Sequence, residues 1–293
     1  MLFRSARLCA GLILWQHSAT ERRKRNFECA ARHLMYKIIQ ITDPHLSRPG
    51  QTLWGLNPHE RLEAALKDVM TFHSDAKACV ITGDLTDSAS PEALHWLKDS
   101  LAGFLIPTHL MIGNHDVRSV FFDVFQTYPK DENGFLQYSF DVSENRFLCL
   151  DTKKDEPVSA GQYCEMRMSW LDNELSKTKK DVYIFMHHPP FEVGVPYMDR
   201  IKLDEAEAFG DLISSYENVR HIFFGHVHRP VFLTWRGITC SACPGISHQL
   251  PLVRGAVSTN YSIEPPMYAV IEFGNGEIRI NLDAFLDRHP VAS

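Results

Sequence analysis

Between residues 37 and 228 one arrangement recurs five times: a short apolar run ends abruptly in a polar cluster containing Asp, Asn or His. Lys37–Ile41 leads into Thr42-Asp43-Pro44-His45, and Ala78–Thr82 leads into Gly83-Asp84. Thr108–Ile112 is followed by Gly113-Asn114-His115-Asp116, Val182–Met186 by His187-His188-Pro189-Pro190, and His221–Phe224 by Gly225-His226-Val227-His228. Apolar, β-branched runs of this length, bounded by Gly and Pro, read as buried strands.

Helix patterns lie between them. Leu62, Ala65, Leu66, Val69 and Met70 follow the i, i+3, i+4, i+7, i+8 spacing of a single buried face. Ser90-Pro91-Glu92 reads as an N-cap with Pro at the first helical position, opening a helix that runs to about Leu101. Val120, Phe121, Val124 and Phe125 form one short apolar face, and further helices are expected around Glu165–Leu175 and Asp204–Ser215. Gln137–Val142 and Phe147–Leu150 pair as a hairpin about the polar turn Ser143–Asn145. Beyond Phe224 only strands are expected: Val231–Trp235, Ile238–Cys240, Tyr268–Phe273 and Ile278–Leu282. This order predicts an α/β (α+β) fold, with sheets covered by helices on their outer faces and closed by antiparallel strands. In open α/β sheets the loops at the carboxyl ends of strands converge on one crevice, so the five clusters should meet at one edge.

Composition narrows the function. The chain has 293 residues, 44% hydrophobic and 23% charged, with a net charge of −6, which is ordinary for a globular protein. No apolar run approaches the ~20 residues needed to span a bilayer, so no membrane association is expected. Residues 1–34 hold Arg4, Arg7, Arg22, Arg23, Lys24, Arg25 and Arg32 against Glu21 and Glu28, which leaves the rest of the chain strongly acidic. An acidic body is a poor partner for a nucleic-acid polymer, although bound cations can reverse the field within one pocket. Residues 1–34 are expected to be a basic extension, disordered or non-native, because the apolar stretch Cys9–Trp15 is short for a signal peptide. One domain is expected over 35–293. The seven cysteines are scattered, and Cys240-Ser-Ala-Cys243 has no second pair to complete a zinc ribbon. That usage fits a reducing compartment, and a cytoplasmic location is expected.

The ligand types in the five clusters define the chemistry. Two carboxylates, one side-chain amide and at least four imidazoles make a mixed oxygen and nitrogen set, suited to zinc, manganese or iron rather than calcium. Each fragment alone is common turn chemistry. Five of them in one order, each after an apolar strand, are specific.

The ordered series D-x-H, G-D, G-N-H-D, H and G-H-x-H resembles the signature of the calcineurin-like metallophosphoesterases, from Asp43 to His228. The resemblance implies a four-layer α/β/β/α sandwich of two mixed sheets with flanking helices, with the metal site at the carboxyl edge of the strands. It implies two divalent or mixed-valence ions (Mn, Fe or Zn), one held by Asp43, His45, Asp84 and His228. Asp84, Asn114, His187 and His226 would hold the other, with Asp84 as the bridge. His115 matches the family's outer histidine, which contacts the phosphate and serves the leaving group. Asn114, His115 and Arg118 are the expected substrate contacts, and His188 is held outside the cage.

Finer strings, Lys37-Ile-Ile-Gln-Ile-Thr-Asp-Pro-His45, Phe185-Met-His-His-Pro-Pro-Phe191 and Gly225-His-Val-His-Arg-Pro230, are similar to class III cyclic nucleotide phosphodiesterases and glycerophosphodiesterases. Arg118, Phe122 and Met198-Asp199 fit that subgroup too. Purple acid phosphatases place a metal-binding Tyr three residues after the bridging Asp, where this chain has Asp87. The implied reaction is hydrolysis of a cyclic nucleotide such as 3',5'-cAMP, or of a glycerophosphodiester, by hydroxide generated between the metals. A phosphomonoesterase and a non-catalytic scaffold of the same fold are the alternatives. A homo-oligomer is also expected, with the stretch after Gly245 forming a pocket wall or a subunit contact. Phe121, Phe122 and Phe125 are read as core, Arg229 as a solvated loop residue, and His73, His95 and His109 receive no role.

Overall fold

The computed structural model describes residues 35–155, 159–253 and 260–286; the basic extension 1–34 lies outside them. Eleven described strands form two sheets. The first contains β1 (Tyr36–Ile41), β2 (Ala78–Thr82), β3 (Thr108–Met111), β10 (Met267–Gly274) and β11 (Glu277–Ala284), in the order β11-β10-β1-β2-β3. The second contains β4 (Tyr138–Val142), β5 (Asn145–Cys149), β6 (Asp181–Met186), β7 (Val219–Phe224), β8 (Val231–Trp235) and β9 (Ile238–Ala242), in the order β4-β5-β6-β7-β9-β8. The central neighbours β1-β2-β3 and β5-β6-β7-β9 pair in parallel, whereas β10, β11, β4 and β8 close the edges antiparallel. Both sheets are therefore mixed, as expected.

Alternation along the strands produces the layers. Phe147, Cys149, Tyr183, Phe185 and Phe223 point into the core shared with the first sheet. Their neighbours Leu148, Val182, Ile184, Met186, Ile222 and Phe224 point the opposite way, into a second core. Across the inner layer Phe273 meets Phe147 edge-on at 5.3 Å and Tyr183 at 4.8 Å between ring centres. Helices α1 (Pro58–Phe72) and α2 (Pro91–Ala102) contribute Leu62, Ala65, Val69, Ala93, Leu94 and Leu97 to the first core, as does the short α3 (Arg118–Val124) through Phe121 and Val124. Helices α4 (Glu165–Ser176) and α6 (Ala206–Ser214) contribute Leu171, Leu175, Phe209 and Ile213 to the second. The result is the four-layer α/β/β/α sandwich.

The local signals are visible in the caps. The Ser90 hydroxyl accepts from the Ala93 N–H at 3.2 Å with Pro91 at the first helical position, a cap worth about 1 kcal/mol. The β4–β5 hairpin turns through Ser143 at a φ of 52°. A single-turn helix, α5 (Pro196–Asp199), escapes a periodicity argument because four residues cannot display one. The described cysteines Cys79, Cys149, Cys164, Cys240 and Cys243 are all free, and all but Cys164 are buried. Among the described residues no helix is long and apolar enough to cross a membrane.

Candidate metal centre

The carboxyl ends of β1, β2, β3, β6 and β7 face one edge, and short backbone bonds stitch their loops together. The His45 N–H donates to the Asp84 carbonyl at 2.9 Å, the Gly225 N–H to the His187 carbonyl at 3.1 Å, and the Ile246 N–H to the Thr42 carbonyl at 3.0 Å. The last of these links the two sheets. Asp116 fastens the Gly113 loop to the β2 loop, its buried carboxylate accepting from the N–H groups of Gly113, Leu85 and Thr86 at 2.9–3.0 Å. Burial, reinforced by the Asp84 charge, raises its pKa to about 6.

Asp43, His45, Asp84 and His228 bring one donor atom each within 4.8 Å of one another, as do His187, His188 and His226. His45 Nε2 lies 3.1 Å from His228 Nε2 and 3.5 Å from Asp84 Oδ2, and His228 Nε2 lies 3.4 Å from Asp43 Oδ1. On the other side His187 Nε2 lies 3.2 Å from the same Asp84 Oδ2 and 3.3 Å from Asn114 Oδ1. One carboxylate oxygen thus stands between two imidazoles of two different clusters.

The rings are held from behind. His187 Nδ1 is 2.8 Å from the Thr82 carbonyl, and His228 Nδ1 is 2.8 Å from the His248 carbonyl. Each contact fixes the tautomer that leaves Nε2 as the free donor, the arrangement found behind metal-ligating histidines. His226 Nε2 meets the Ile201 carbonyl at 3.2 Å, which leaves its Nδ1 as the available nitrogen.

Two further features fit a cation. Among the described residues Asp43 and Asp84 are ion-paired with imidazoles alone, although both are fully buried. Asp43, His45, Asp84, His226 and His228 also hold left-handed backbone angles, with φ of 52°, 44°, 48°, 70° and 48°. Such angles cost about 1 kcal/mol or more per non-glycine residue and persist where function compensates them. Burial, helped by the neighbouring imidazoles and opposed by Asp84, pushes the pKa of His45 and His226 well below the usual range, so both are neutral and able to donate a lone pair. For Asp84 burial acts upward, but His187, His115 and His45 outweigh it and hold the carboxylate well below its ordinary value.

His115 sits at the rim. Its N–H donates to Asp84 Oδ1 at 2.8 Å, its Nδ1 is 2.8 Å from the Asp87 carbonyl, and its ring stands edge-on to His45 at 4.7 Å. Burial lowers its pKa, but Asp84, the Asp87 carbonyl and the Asp87 carboxylate together raise it above the ordinary value. The cavity in front is lined by His45, Asp84, Asn114, His115, His226 and His228, with His248, Tyr197, Met198, Ile201, Leu250, Tyr261 and Ser159 as walls.

Arg118, a substrate contact by resemblance, lies elsewhere. Its guanidinium grips the buried Asp151 carboxylate at 2.7 and 3.1 Å, also donates to Asp155 and the Lys153 carbonyl, and borders a separate depression. A guanidinium with its donors so committed is a brace. Arg229 is likewise bound, donating to the Leu250 carbonyl and to Glu264. Phe121 is core, with Phe125 stacked on it at 4.8 Å. His188, held outside the cage, has Nδ1 on the Thr152 hydroxyl at 2.8 Å and a buried Nε2 with no hydrogen-bond partner among the described residues, beside the His226 ring.

Two groups escaped the sequence reading. His248, in the loop after β9, stacks on His228 at 4.4 Å and approaches His45 at 4.9 Å. The loop after β5 forms a sixth cluster: Asp151 anchors Arg118, Thr152 holds His188, and Lys153 donates to the Asn114 carbonyl at 3.1 Å. Its signal was present, since Phe147–Leu150 ends in Asp151-Thr152 just as the other runs end in polar residues.

A four-layer sandwich carrying paired carboxylate and imidazole nests at one strand edge defines a binuclear-type metallohydrolase. Residues 36–230 match the calcineurin-like phosphoesterases, and the chain belongs to that family. A probable cyclic nucleotide phosphodiesterase of Rhodopseudomonas palustris is 34% identical over 263 residues, 88% of this chain and 95% of that protein. A probable glycerophosphodiester phosphodiesterase of Arcobacter nitrofigilis is 28% identical over 78% of this chain and 85% of its own length. The 3',5'-cyclic adenosine monophosphate phosphodiesterase of Escherichia coli is 26% identical over 71% and 75%. Among solved structures a dimetal phosphatase from Danio rerio superposes with a TM-score of 0.62 at 19% identity, covering 84% of this chain and 98% of that one, a likeness of fold.

Proposed function

We propose that the chain hydrolyses small phosphodiesters, either cyclic nucleotides such as 3',5'-cAMP or glycerophosphodiesters, with two divalent or mixed-valence metal ions. The observation that carries this reading is Asp84 Oδ2, set within 3.5 Å of His45 Nε2 and 3.2 Å of His187 Nε2. Asp43, His45, Asp84 and His228 would hold one ion, and Asp84, Asn114, His187 and His226 the other. The mixed donor set favours manganese, iron or zinc. When bound, a metal pair neutralises the phosphodiester and brings the pKa of an attacking water near neutrality.

The chain's own residues do the rest. Asp84 would serve both sites, its carboxylate offsetting the repulsion between two close cations. Asn114 places its amide beside His187, and Lys153 steadies the Asn114 backbone from behind. His115, with Nδ1 occupied by the Asp87 carbonyl, turns its other nitrogen to the cavity. From there it hydrogen-bonds the phosphate and donates a proton to the leaving alkoxide.

A diester is favoured over a monoester by the cavity lining. No Lys or Arg is among the described residues that line it, so beyond His115 the second negative charge of a monoester would meet no cationic side chain. A non-catalytic scaffold is disfavoured because all seven ligand positions are filled. A cytoplasmic location is supported by the free cysteines. Self-association is supported by Leu252, Val253 and Ile263, exposed apolar residues of the stretch after Gly245.

The test is kcat/KM of the manganese-loaded protein across 3',5'-cAMP, glycerophosphodiesters and phosphomonoesters. Diesters should dominate; a preference for monoesters would overturn the reading.

A further inference from the structure

Trp54 is 58% exposed, an unusual place for an indole. It sits at the tip of a two-residue turn in which the Leu53 and Leu56 N–H groups each donate to the other's carbonyl at 2.8 Å. Both tip residues are left-handed, Trp54 at a φ of 53° and Gly55 at 78°. Two-residue turns of this kind favour Asn-Gly or Gly-Gly at the tip. A bulky side chain at positive φ is a genuine outlier, and such strain clusters at ligand-holding sites.

The indole does not stand alone. Its ring lies 4.6 Å from that of Tyr261, a cavity wall residue that is itself 40% exposed. Tyr261 meets His248 edge-on at 4.3 Å, and His248 stacks on His228 at 4.4 Å. Aromatic faces therefore run unbroken from a proposed metal ligand to the surface, with Tyr197 also lining the cavity. Two ring contacts, of 4.3 and 4.4 Å, separate Tyr261 from His228, and both residues line the one cavity.

Flat π faces without a matched set of hydrogen-bond groups bind nucleobases by stacking, tolerant of which base is present. An uncharged glycerol headgroup has neither a π face nor a cation to offer them. We infer that Trp54 and Tyr261 form a stacking subsite for the nucleobase of a nucleotide phosphodiester. The subsite selects nucleotide diesters over glycerol-based ones among the two substrate classes. This inference rests on the phosphodiesterase reading of the metal centre.

The experiment compares the full-length, manganese-loaded protein with Trp54→Ala, Tyr261→Ala and Trp54→Phe on 3',5'-cAMP and on glycerophosphoglycerol, whose alcohols carry no cation for the rings to bind. Loss of one stacked face corresponds to about 5- to 150-fold in affinity. The ratio of kcat/KM on cAMP to that on glycerophosphoglycerol should fall by that factor in each alanine variant, mainly through KM, and Trp54→Phe should retain most of it. An unchanged ratio, or equal losses on both substrates, overturns the subsite while leaving the metal centre intact. Absence of turnover on either diester in the wild type would instead sink the phosphodiesterase reading. A binding measurement then decides the subsite independently. 5'-AMP, but not ribose 5-phosphate, should quench tryptophan fluorescence in the wild type more than in Trp54→Phe, and equal quenching overturns it.

Discussion

Gly113 occupies a tightly packed point of the metal centre, and adding one methyl group there tests the packing directly. A Cβ at this position would lie 2.3 Å from Asp84 Oδ1, 2.6 Å from the Asp84 nitrogen and 2.6 Å from His187 Nε2. Ordinary contacts begin near 3.4 Å, so the Asp84 carboxylate would have to move by about an ångström. The oxygen displaced is the one that accepts the His115 N–H at 2.8 Å. Overpacking of a tight site costs about 1–3 kcal/mol, and loss of a hydrogen bond to a charged group costs about 1.5–3 kcal/mol more. Gly113→Ala should therefore lose about 2–6 kcal/mol, a fall in Tm on the order of 10 °C by calorimetry. It should also lose metal content by elemental analysis, because the same methyl displaces Asp84 and His187 together. Gly103→Ala is the control: its Cβ meets nothing within 4 Å and its φ is −95°, so it should stay within about 0.5 kcal/mol of wild type. A Gly113→Ala protein with wild-type Tm and full metal content would refute the close approach of these loops.

Other perturbations separate the remaining roles. His115→Ala should lower kcat by about 10²- to 10⁴-fold on a diester with an alkoxide leaving group, and far less on bis(p-nitrophenyl) phosphate, whose leaving group needs no proton. Equal losses on both would contradict the proton-donor role. Arg118→Ala strips one of two guanidinium groups from the buried Asp151 carboxylate, Arg167 remaining at 3.7 Å, which should cost about 1.5–3 kcal/mol in chemical denaturation; a raised KM at unchanged stability would instead restore Arg118 to the substrate. His221, packed between Thr239 and Ser241 hydroxyls, has its pKa pushed down to about 3 by burial. The unfolded chain binds that proton near pH 6.5 and the folded chain does not. The contribution of His221 is therefore complete above pH 6.5 and is lost as pH falls toward 3, by about 2 kcal/mol at pH 5. Denaturation of His221→Asn as a function of pH should show a shallower acid limb, and an identical limb would exclude His221 as its source.

Much of this was legible because the relevant signals are local. Strand–cluster boundaries at Asp43, Asp84, Asn114, His187 and His226 mark where parallel strands end, and parallel strands of one sheet end on one side. Ser90 and Pro91 marked a helix start for the same reason, a cap being a three-residue device. What escaped depends on contacts between distant segments. The role of His248 follows from the β9 loop folding back so that its carbonyl reaches His228, and no spacing in the sequence encodes that approach. Arg118 follows the Asn-His-Asp motif and so looked like part of the site. Its direction is decided by Asp151, 33 residues on, whose buried charge outcompetes the cavity for the guanidinium. The Asp151-Thr152-Lys153 cluster is the instructive omission, because its pattern was the same as the other five and only its ligand types differed.

The proposed bridging position of Asp84 is tested most directly by metal stoichiometry. After manganese loading and removal of free ion, elemental analysis should find two ions per chain in the wild type. Asp84→Ala removes a donor from both nests at once, so it should retain fewer than one, with hydrolysis of bis(p-nitrophenyl) phosphate abolished in parallel. Two tightly held ions and normal turnover in Asp84→Ala would contradict the shared-carboxylate centre.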